Sequence, residues 1–532
     1  MIRKNTTHKS SVTHHRSPLW RNCTNLRALK QIHAHMIVNA FNSDRTALTE
    51  LIYSAAVSIQ STIDYAHQLF DEISEPDLFM WNTMLRGSAQ SSKPHLTISL
   101  YSNMEKLFIK PDHYTFPFVL KACTRLSWAN TGCAIHGKVT KHGLESNKFS
   151  RNALINFHAN CGEIKTASSL FDGSVKNDVV AWSTLTAGYA RRGDLNMARK
   201  LFDEMPVKDL VSWNVMITGY VKQREMGLAR ELFNSVPKRD VVTWNAMISG
   251  YVLSNEHRKA LDMYEEMRSA KECPDEVTML SLLSACANLG ALEIGEKINR
   301  SILEMGLGAP SVFLGNALID MYAKCGNIEK AFGVFRLMRD KDVTSWNSII
   351  VGLAFSGCTD KSISIFEDMR KTKCGPNEIT FVGLLIACSH SGRVDEGRAY
   401  FNLMRNVYNI RPNVKHYGCM VDLFGRAGLL DEAFEFIGAM KFEPNTIIWR
   451  TLLGACRVHC NVEMGRRANE ELLKLRRDES GDYVLLSNIY ASNGEWCGVE
   501  NVRRLMDESG VKKERGFSLV DSSEFLDFLL GS

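Results

Sequence analysis

The sequence predicts an all-α solenoid of stacked helix-turn-helix repeats, and three observations carry that prediction. First, one phrase recurs at a fixed interval. Trp182, Trp213 and Trp244 stand 31 residues apart, and each opens a run that ends in Gly-Tyr, at Tyr189, Tyr220 and Tyr251. A period of this size marks a repeat array rather than a single globular core. Second, each run is followed by a polar turn, as in Arg191-Arg192-Gly193-Asp194, and then by Ala198, Leu201, Phe202 and Met205. Apolar residues three or four apart draw one stripe along a helix, so each unit is a helical hairpin. Third, the composition is ordinary for a chain in water, 45% hydrophobic and 23% charged, and no apolar run reaches 18 residues. No transmembrane helix is expected.

Taken in order, residues 1–43 hold seven Lys/Arg and no acid, which leaves 57 basic against 59 acidic residues in the remainder. The acid-free, Arg/Ser/Thr-rich start has the composition of an organellar transit peptide. It is assigned to residues 1–25, because Leu26 to Phe41 already has the pattern of a second helix from an incomplete unit. The rest of the chain is nearly neutral, so bulk charge makes no case for nucleic acid. A unit from Arg45 to Asp77 comes next, with Ala66, Leu69 and Phe70 on its second helix. From Leu78 the units are regular: 78–112, 113–147, 148–178, 179–209, 210–240, 241–275, 276–311, 312–342, 343–377, 378–413 and 414–445. Residues 446–481 are still repeat-like, whereas the stretch from Asp482 to about 521 differs, and the tail 522–532 carries no interpretable feature.

Counting positions within each unit explains most of the pattern as packing. Trp81, Trp182, Trp213, Trp244, Trp346 and Trp449 fall at position 4. Tyr101, Phe171, Phe202, Phe233, Tyr264, Phe335, Phe366 and Phe401 fall at position 24. Ala167, Ala198, Ala229, Ala260, Ala331 and Ala433 fall at position 20, where a small side chain lets helices approach. A lone hairpin cannot bury these aromatics, but stacked hairpins can. The 14 cysteines follow the same frame. Cys123, Cys286, Cys388 and Cys456 occupy position 11, and Cys161 and Cys325 position 14, as small buried apolar groups would. The local cluster Cys456-Arg-Val-His459-Cys460 is assigned to packing, and no metal or other cofactor is expected.

Two positions per unit are polar without a packing reason. Position 5 holds Thr49, Asn82, Asn152, Ser183, Asn214, Asn245, Asn316 and Asn347. The last position holds Asp77, Asp112, Asp178, Asp209, Asp240, Asp275, Asp342 and Asn377. An Asp just before an amphipathic helix is a good N-cap whatever else it does. Asn inside a helix is harder to explain, being a mediocre helix former.

The two length classes, 31–32 and 35–36 residues, the Pro111-Asp112 and Pro274-Asp275 ends and the Val-x-Trp-Asn starts resemble the pentatricopeptide repeat family of plant organelles. The chain is most similar to the class built from P, L and S triplets, with 241–275, 276–311 and 312–342 matching one triplet. The resemblance runs from about Leu26 to the C-terminus and implies a right-handed superhelical solenoid. Such proteins read one RNA base per repeat with two or three side chains. The resemblance makes positions 5 and last the readers, since an Asn amide offers both a donor and an acceptor to a base edge. Position 2 (Phe79, Phe149, Val180, Val211, Val242, Phe313) would sandwich each base. By the family's code Asn with Asp favours U, Asn with Asn favours C, and Thr or Ser with Asp favours G. The L-type units carry Pro117, Leu280 and Val382 at position 5, and Gly418 also departs from the pattern. The expected target is therefore G-U-n-U-G-U-U-n-U-C-n-n.

Residues 446–521 resemble the E extension of organellar C-to-U editing factors. A nucleobase deaminase needs His-x-Glu and Cys-x-x-Cys, and neither occurs in the sequence. The chain is thus expected to be no enzyme. Instead it would be a site-recognition factor that binds single-stranded organellar RNA and receives a DYW-type deaminase and other editing cofactors in trans through the E extension. It is expected to be a monomer without RNA, off the membrane, and in the mitochondrion rather than the chloroplast. A factor for RNA stability, splicing or translation, or a protein–protein scaffold, would use the same architecture.

Overall fold

The structure is a computed structural model, and it describes residues 25–39, 44–59, 62–172, 178–305, 311–475, 480–508 and 510–511. The transit-type segment 1–24, the tail 522–532 and the end of the E extension lie outside these residues. The described residues form α-helices, one π-turn at Ser54–Ser58 and no strand. No helix among them is long and apolar enough to cross a membrane. The chain divides into two compact units, residues 1–250 and 251–532.

In the first unit the incomplete repeat contributes Leu26–Val38, shorter than the expected end at Phe41. Hairpins follow: Leu78–Gln90 with His95–Lys106, Thr115–Leu126 with Ala129–Lys141, Lys148–Cys161 with Ile164–Asp172, Val179–Arg191 with Leu195–Glu204, and Leu210–Lys222 with Met226–Ser235. The first helix of each hairpin packs on its own second helix and on the first helix of the next hairpin. Each first helix starts where a boundary side chain accepts a backbone N–H, as Asp178 does from Val180. Most hairpins turn at a residue with positive φ, as at Gly193 with φ 82°, while the turn between Gln90 and His95 has none.

The repeating core is as the period demands. Ala167, Ala198 and Ala229 are fully buried, and Phe202 and Phe233 nearly so. The position-24 ring meets the position-4 indole of the following repeat edge-on. Centroids are 4.7 Å apart in Phe70–Trp81 and Phe171–Trp182, and 4.8 Å apart in Phe202–Trp213 and Phe233–Trp244. Such pairs add roughly 0.5–1.5 kcal/mol beyond their burial. Trp213 itself is only partly buried, and so is Phe171. The same holds for Cys161, which was expected to be interior.

The second unit repeats the scheme from His257–Ser269 and Glu276–Leu289 through Val414–Arg426 and Leu430–Gly438. Ala260, Ala331 and Ala433 are fully buried, and Phe335 meets Trp346 edge-on at 5.1 Å. Two further hairpins complete it, Thr446–Val458 with Val462–Lys474 and Ser480–Ser492 with Trp496–Glu508. Residues 446–508 therefore continue the helical stacking.

The three repeats expected to be L-type, 113–147, 276–311 and 378–413, pack differently from the others. In four regular repeats, 148–178, 179–209, 210–240 and 312–342, position 20 is Ala and position 10 of the following helix is Gly, as in Ala198 and Gly219. After an L-type repeat the bulk is exchanged. Gly132 lies beneath the Phe157 ring and Gly295 beneath the Met321 thioether, so a methyl group at either glycine would overlap its neighbour. Gly397 and Leu423 repeat the exchange.

Candidate nucleic-acid interface

The position-5 side chain of a repeat and the last residue of that repeat are 26 or 30 residues apart in sequence, and the hairpin brings them into contact. In the first unit Asn82 Nδ2 donates to Asp112 Oδ1 at 3.1 Å, and Asn152 Nδ2 to Asp178 Oδ2 at 2.8 Å. Ser183 Oγ reaches Asp209 Oδ1 at 3.1 Å, and Asn214 Nδ2 reaches Asp240 Oδ1 at 3.4 Å. In the second unit Asn316 Nδ2 donates to Asp342 Oδ1 at 3.2 Å, and Asn347 Nδ2 to Asn377 Oδ1 at 3.0 Å. Asn245 belongs to the first unit and Asp275 to the second.

The boundary residue has a second task. Its side-chain oxygen accepts the backbone N–H of the next repeat's first turn: Asp209 from Ser212, Asp240 from Thr243 and Asp275 from Thr278, each at 2.9 Å. Asp342 accepts from Ser345 at 2.8 Å, and Asn377 from Thr380 at 3.2 Å. Capping is thus common to these positions, and it coexists with the amide contact. A hydroxyl at position 3 joins in. Thr115 Oγ1 stands 2.8 Å from Asn82 Oδ1, and Thr380 Oγ1 stands 2.6 Å from Asn347 Oδ1. Sequence reading missed these hydroxyls, although Ser or Thr recurs at position 3 and could have revealed them.

Three of the boundary carboxylates are held in their charged form by their partners. Burial raises the carboxyl pKa of Asp112, Asp240 and Asp342. The hydrogen bonds from Thr115, Thr243 and Ser345, and from the amides of Asn82, Asn214 and Asn316, outweigh it and hold each below the usual value. A fixed anion therefore orients the amides of Asn82, Asn214 and Asn316. One Nδ2 hydrogen is used; the amide has a second, and an acceptor oxygen with two lone pairs. The Oδ1 atoms of Asn214 and Asn316 are buried and accept no hydrogen bond within the protein, whereas those of Asn82 and Asn347 are taken by Thr115 and Thr380.

Position 2 faces water in most repeats, with Lys415 and Ile447 half-buried. Phe79 is 52% exposed, Phe149 54%, Val180 57%, Val211 59% and Val242 54%, and in the second unit Phe313 is 69% exposed. Tyr114, Val277 and Ile379, which hold the same position in the L-type units, are exposed as well. The Tyr114 ring lies 4.1 Å from His113 and 5.8 Å from Phe149, forming an exposed aromatic cluster across one repeat junction.

Some positions break the pattern. Thr49 Oγ1 donates to the Arg45 carbonyl at 2.7 Å, within its own helix, while Asp77 caps Met80 at 2.8 Å. At L-type position 5, Pro117 and Leu280 are half-buried and Val382 is buried, and Gly418 is buried too. Within 446–508 the corresponding Arg450 forms a two-pronged ion pair with Asp482, at 2.7 and 2.9 Å. In the Cys456–Cys460 cluster Cys456 is buried, Cys460 is exposed, and His459 Nε2 lies 2.9 Å from the Gly425 carbonyl.

Comparison with known proteins agrees with the repeat frame. The PPR repeat family profile matches residues 76–125, 239–288 and 341–390. The PPR repeat profile matches 180–210, 211–241, 316–343, 379–407 and 415–443, and the E motif profile 459–521. The Arabidopsis thaliana pentatricopeptide repeat-containing protein At5g15300 is 60% identical over 540 residues, covering 100% of this chain and 98% of its own length. A second Arabidopsis thaliana relative, At5g56310, is 40% identical and covers 93% of this chain and 88% of its own. Among solved structures, the pentatricopeptide repeat protein PPR10 in complex with an 18-nt psaJ RNA element superposes with a TM-score of 0.53. It has 17% identity and covers 92% of this chain and 84% of its own. With its helical hairpins stacked in the same way and its sequence matched end to end by such a relative, the chain belongs to the pentatricopeptide repeat family.

Proposed function

We propose that the chain binds single-stranded RNA one base per repeat, and that it selects the site for C-to-U editing of an organellar transcript. The observation that carries the RNA reading is the recurring boundary pair, an amide or hydroxyl held by a carboxylate or amide and flanked by exposed position-2 side chains. An oriented amide offers a donor and an acceptor at once, which matches the edge of uracil. Exposed side chains at position 2 supply the stacking surface, worth roughly 1–3 kcal/mol per base where they are aromatic. The RNA held by the structurally similar PPR10 supports the same reading. The match of residues 459–521 to the E motif supports the editing role, with a deaminase recruited in trans. The basic, acid-free first 43 residues support import into an organelle, and we place it in the mitochondrion.

The test is a binding titration on single-stranded RNA carrying G-U-n-U-G-U-U-n-U-C-n-n. Substituting Asn214→Thr and Asn245→Thr should move preference from U toward G at the two matching bases, by about tenfold or more for each pair. Equal affinity for every sequence, before and after substitution, would refute base reading. For the editing role, transcripts from a line lacking the protein should show one or a few unedited C positions. Unchanged editing throughout would remove that role and leave the binding result standing.

A further inference from the structure

The junction between the 113–147 and 148–178 repeats holds a cluster that base reading does not use. Gly132 lets the second helix of one repeat approach Phe157 on the first helix of the next. This closeness brings Cys133 to the side of His158. Gly162, at φ 104°, then turns the chain so that Glu163 folds back over the same ring. Cys133 Sγ, a ring nitrogen of His158 and a carboxylate oxygen of Glu163 all lie within 4.8 Å of one another. Elsewhere position 24 is mostly filled by Tyr or Phe, but here it is His136. Its Nδ1 lies 2.9 Å from His158 Nε2.

His158 is only 2% exposed. Its Nδ1 faces Glu163 Oε2 at 3.0 Å, and the Cys133 thiol reaches the other oxygen, Oε1, at 3.7 Å. In the tautomer that donates Nε2–H to His136 Nδ1, His158 turns its Nδ1 lone pair toward a carboxylate and a thiol. That lone pair and the carboxylate repel unless a proton or a metal cation stands between them. A ligating imidazole whose other nitrogen is fixed by a neighbour is the usual arrangement around zinc.

We propose that Cys133, His158 Nδ1 and Glu163 bind one divalent cation of zinc's borderline-soft type, with His136 positioning the imidazole. Thiolate, imidazole and carboxylate suit zinc, whereas magnesium and calcium need oxygen donors. Bonds of roughly 2.0–2.3 Å require donor atoms about 3.3–3.8 Å apart, a small contraction of the cluster. The thiol releases its proton to water as sulfur bonds to the cation. Glu163 is half-exposed, so solvent reaches the site and can complete a fourth position. Binding would clamp the two repeats together. Cys133 and His158 are 25 positions apart, outside any spacing that marks a zinc motif in sequence.

The experiment uses the full chain, stripped by a chelator and kept reduced, titrated with Co2+ and with Zn2+. Co2+ should develop a thiolate-to-metal absorption saturating at about one equivalent, and Zn2+ should displace it and raise the unfolding temperature. Cys133→Ser should abolish the absorption, Glu163→Gln should weaken binding, and His136→Ala should weaken it by about 10–100-fold. His158→Ala risks misfolding, so the test rests on Cys133→Ser and Glu163→Gln, whose side chains reach solvent. If these two variants titrate like the parent, or no thiolate absorption develops, the proposal is overturned.

Discussion

The regular repeats and the L-type repeats share one scaffold but treat their boundaries in opposite ways. A regular boundary such as Asn214–Asp240 presents an amide fixed by a carboxylate. The L-type equivalents place Pro117, Leu280 and Val382 there, apolar and partly or wholly buried. In the packing layer a regular repeat such as 179–209 has a buried Ala198 at position 20 and Gly219 at position 10 of the next helix, whereas Gly132, Gly295 and Gly397 lie beneath Phe157, Met321 and Leu423. Position 2 is exposed in both kinds, from Val180 and Val211 to Tyr114 and Ile379. Under the function proposed above, the difference separates stacking from reading. An L-type repeat would keep a surface on which a base can lie but have no group to tell one base from another.

The largest effect expected concerns the exchanged bulk. Met321→Ala should cost about 2–5 kcal/mol, since it empties a fully buried site above a glycine. Gly295→Ala alone should also destabilise, by about 1–3 kcal/mol, through overlap with Met321. Together they should cost less than the sum, which a double-mutant cycle by urea unfolding would read. Strict additivity would mean that the two positions do not form one packing unit. Val382→Asn, which writes a regular boundary residue into an L-type repeat, should cost about 1–3 kcal/mol, because its site is buried. If the variant proves neutral and gains base preference, the L-type boundary is only a sequence habit and not a packing requirement.

Smaller effects sharpen the contrast on the RNA side. Tyr114→Ala should weaken RNA binding by roughly 1–3 kcal/mol, to the same degree for every base at that step. A change in preference there would show that L-type repeats read after all. Asp240→Ala should cost about 0.5–2 kcal/mol of stability through the lost cap. The smallest effect is in pH. The carboxyls of Asp112, Asp240 and Asp342 lie below their ordinary value when folded, so their contribution is complete above the unfolded carboxyl pKa. It is lost only as pH falls through the depressed folded values. These groups are partly exposed, so the slope should be shallow. Acid unfolding that steepens at near-neutral pH instead would contradict the assignment.

The architecture was legible because it is periodic. Trp at position 4 and Ala at position 20 recur too often for chance, and their partners, such as Phe233 on Trp244, follow from the period alone. What the period cannot show is how a particular neighbour intrudes. Trp213 is partly open although it matches its buried counterparts letter for letter. Thr49 fits the position-5 pattern, yet its hydroxyl is taken by the Arg45 carbonyl one turn back, as threonines in helices often are. Cys133, His136, His158 and Glu163 occupy unrelated positions in the repeat and meet only through the Gly132 approach and the Gly162 turn. Periodicity finds what every unit shares and is blind to what one junction does alone.

Each boundary residue closes one repeat and also starts the next, as Asp209 and Asp342 do. In the reading proposed for this chain, that residue is a letter which must also serve as punctuation. Its alphabet is then restricted to the few side chains that can begin a helix, chiefly Asp, Asn, Ser and Thr. Such a vocabulary leaves room for about four symbols, so the richness of any message must come from position 5.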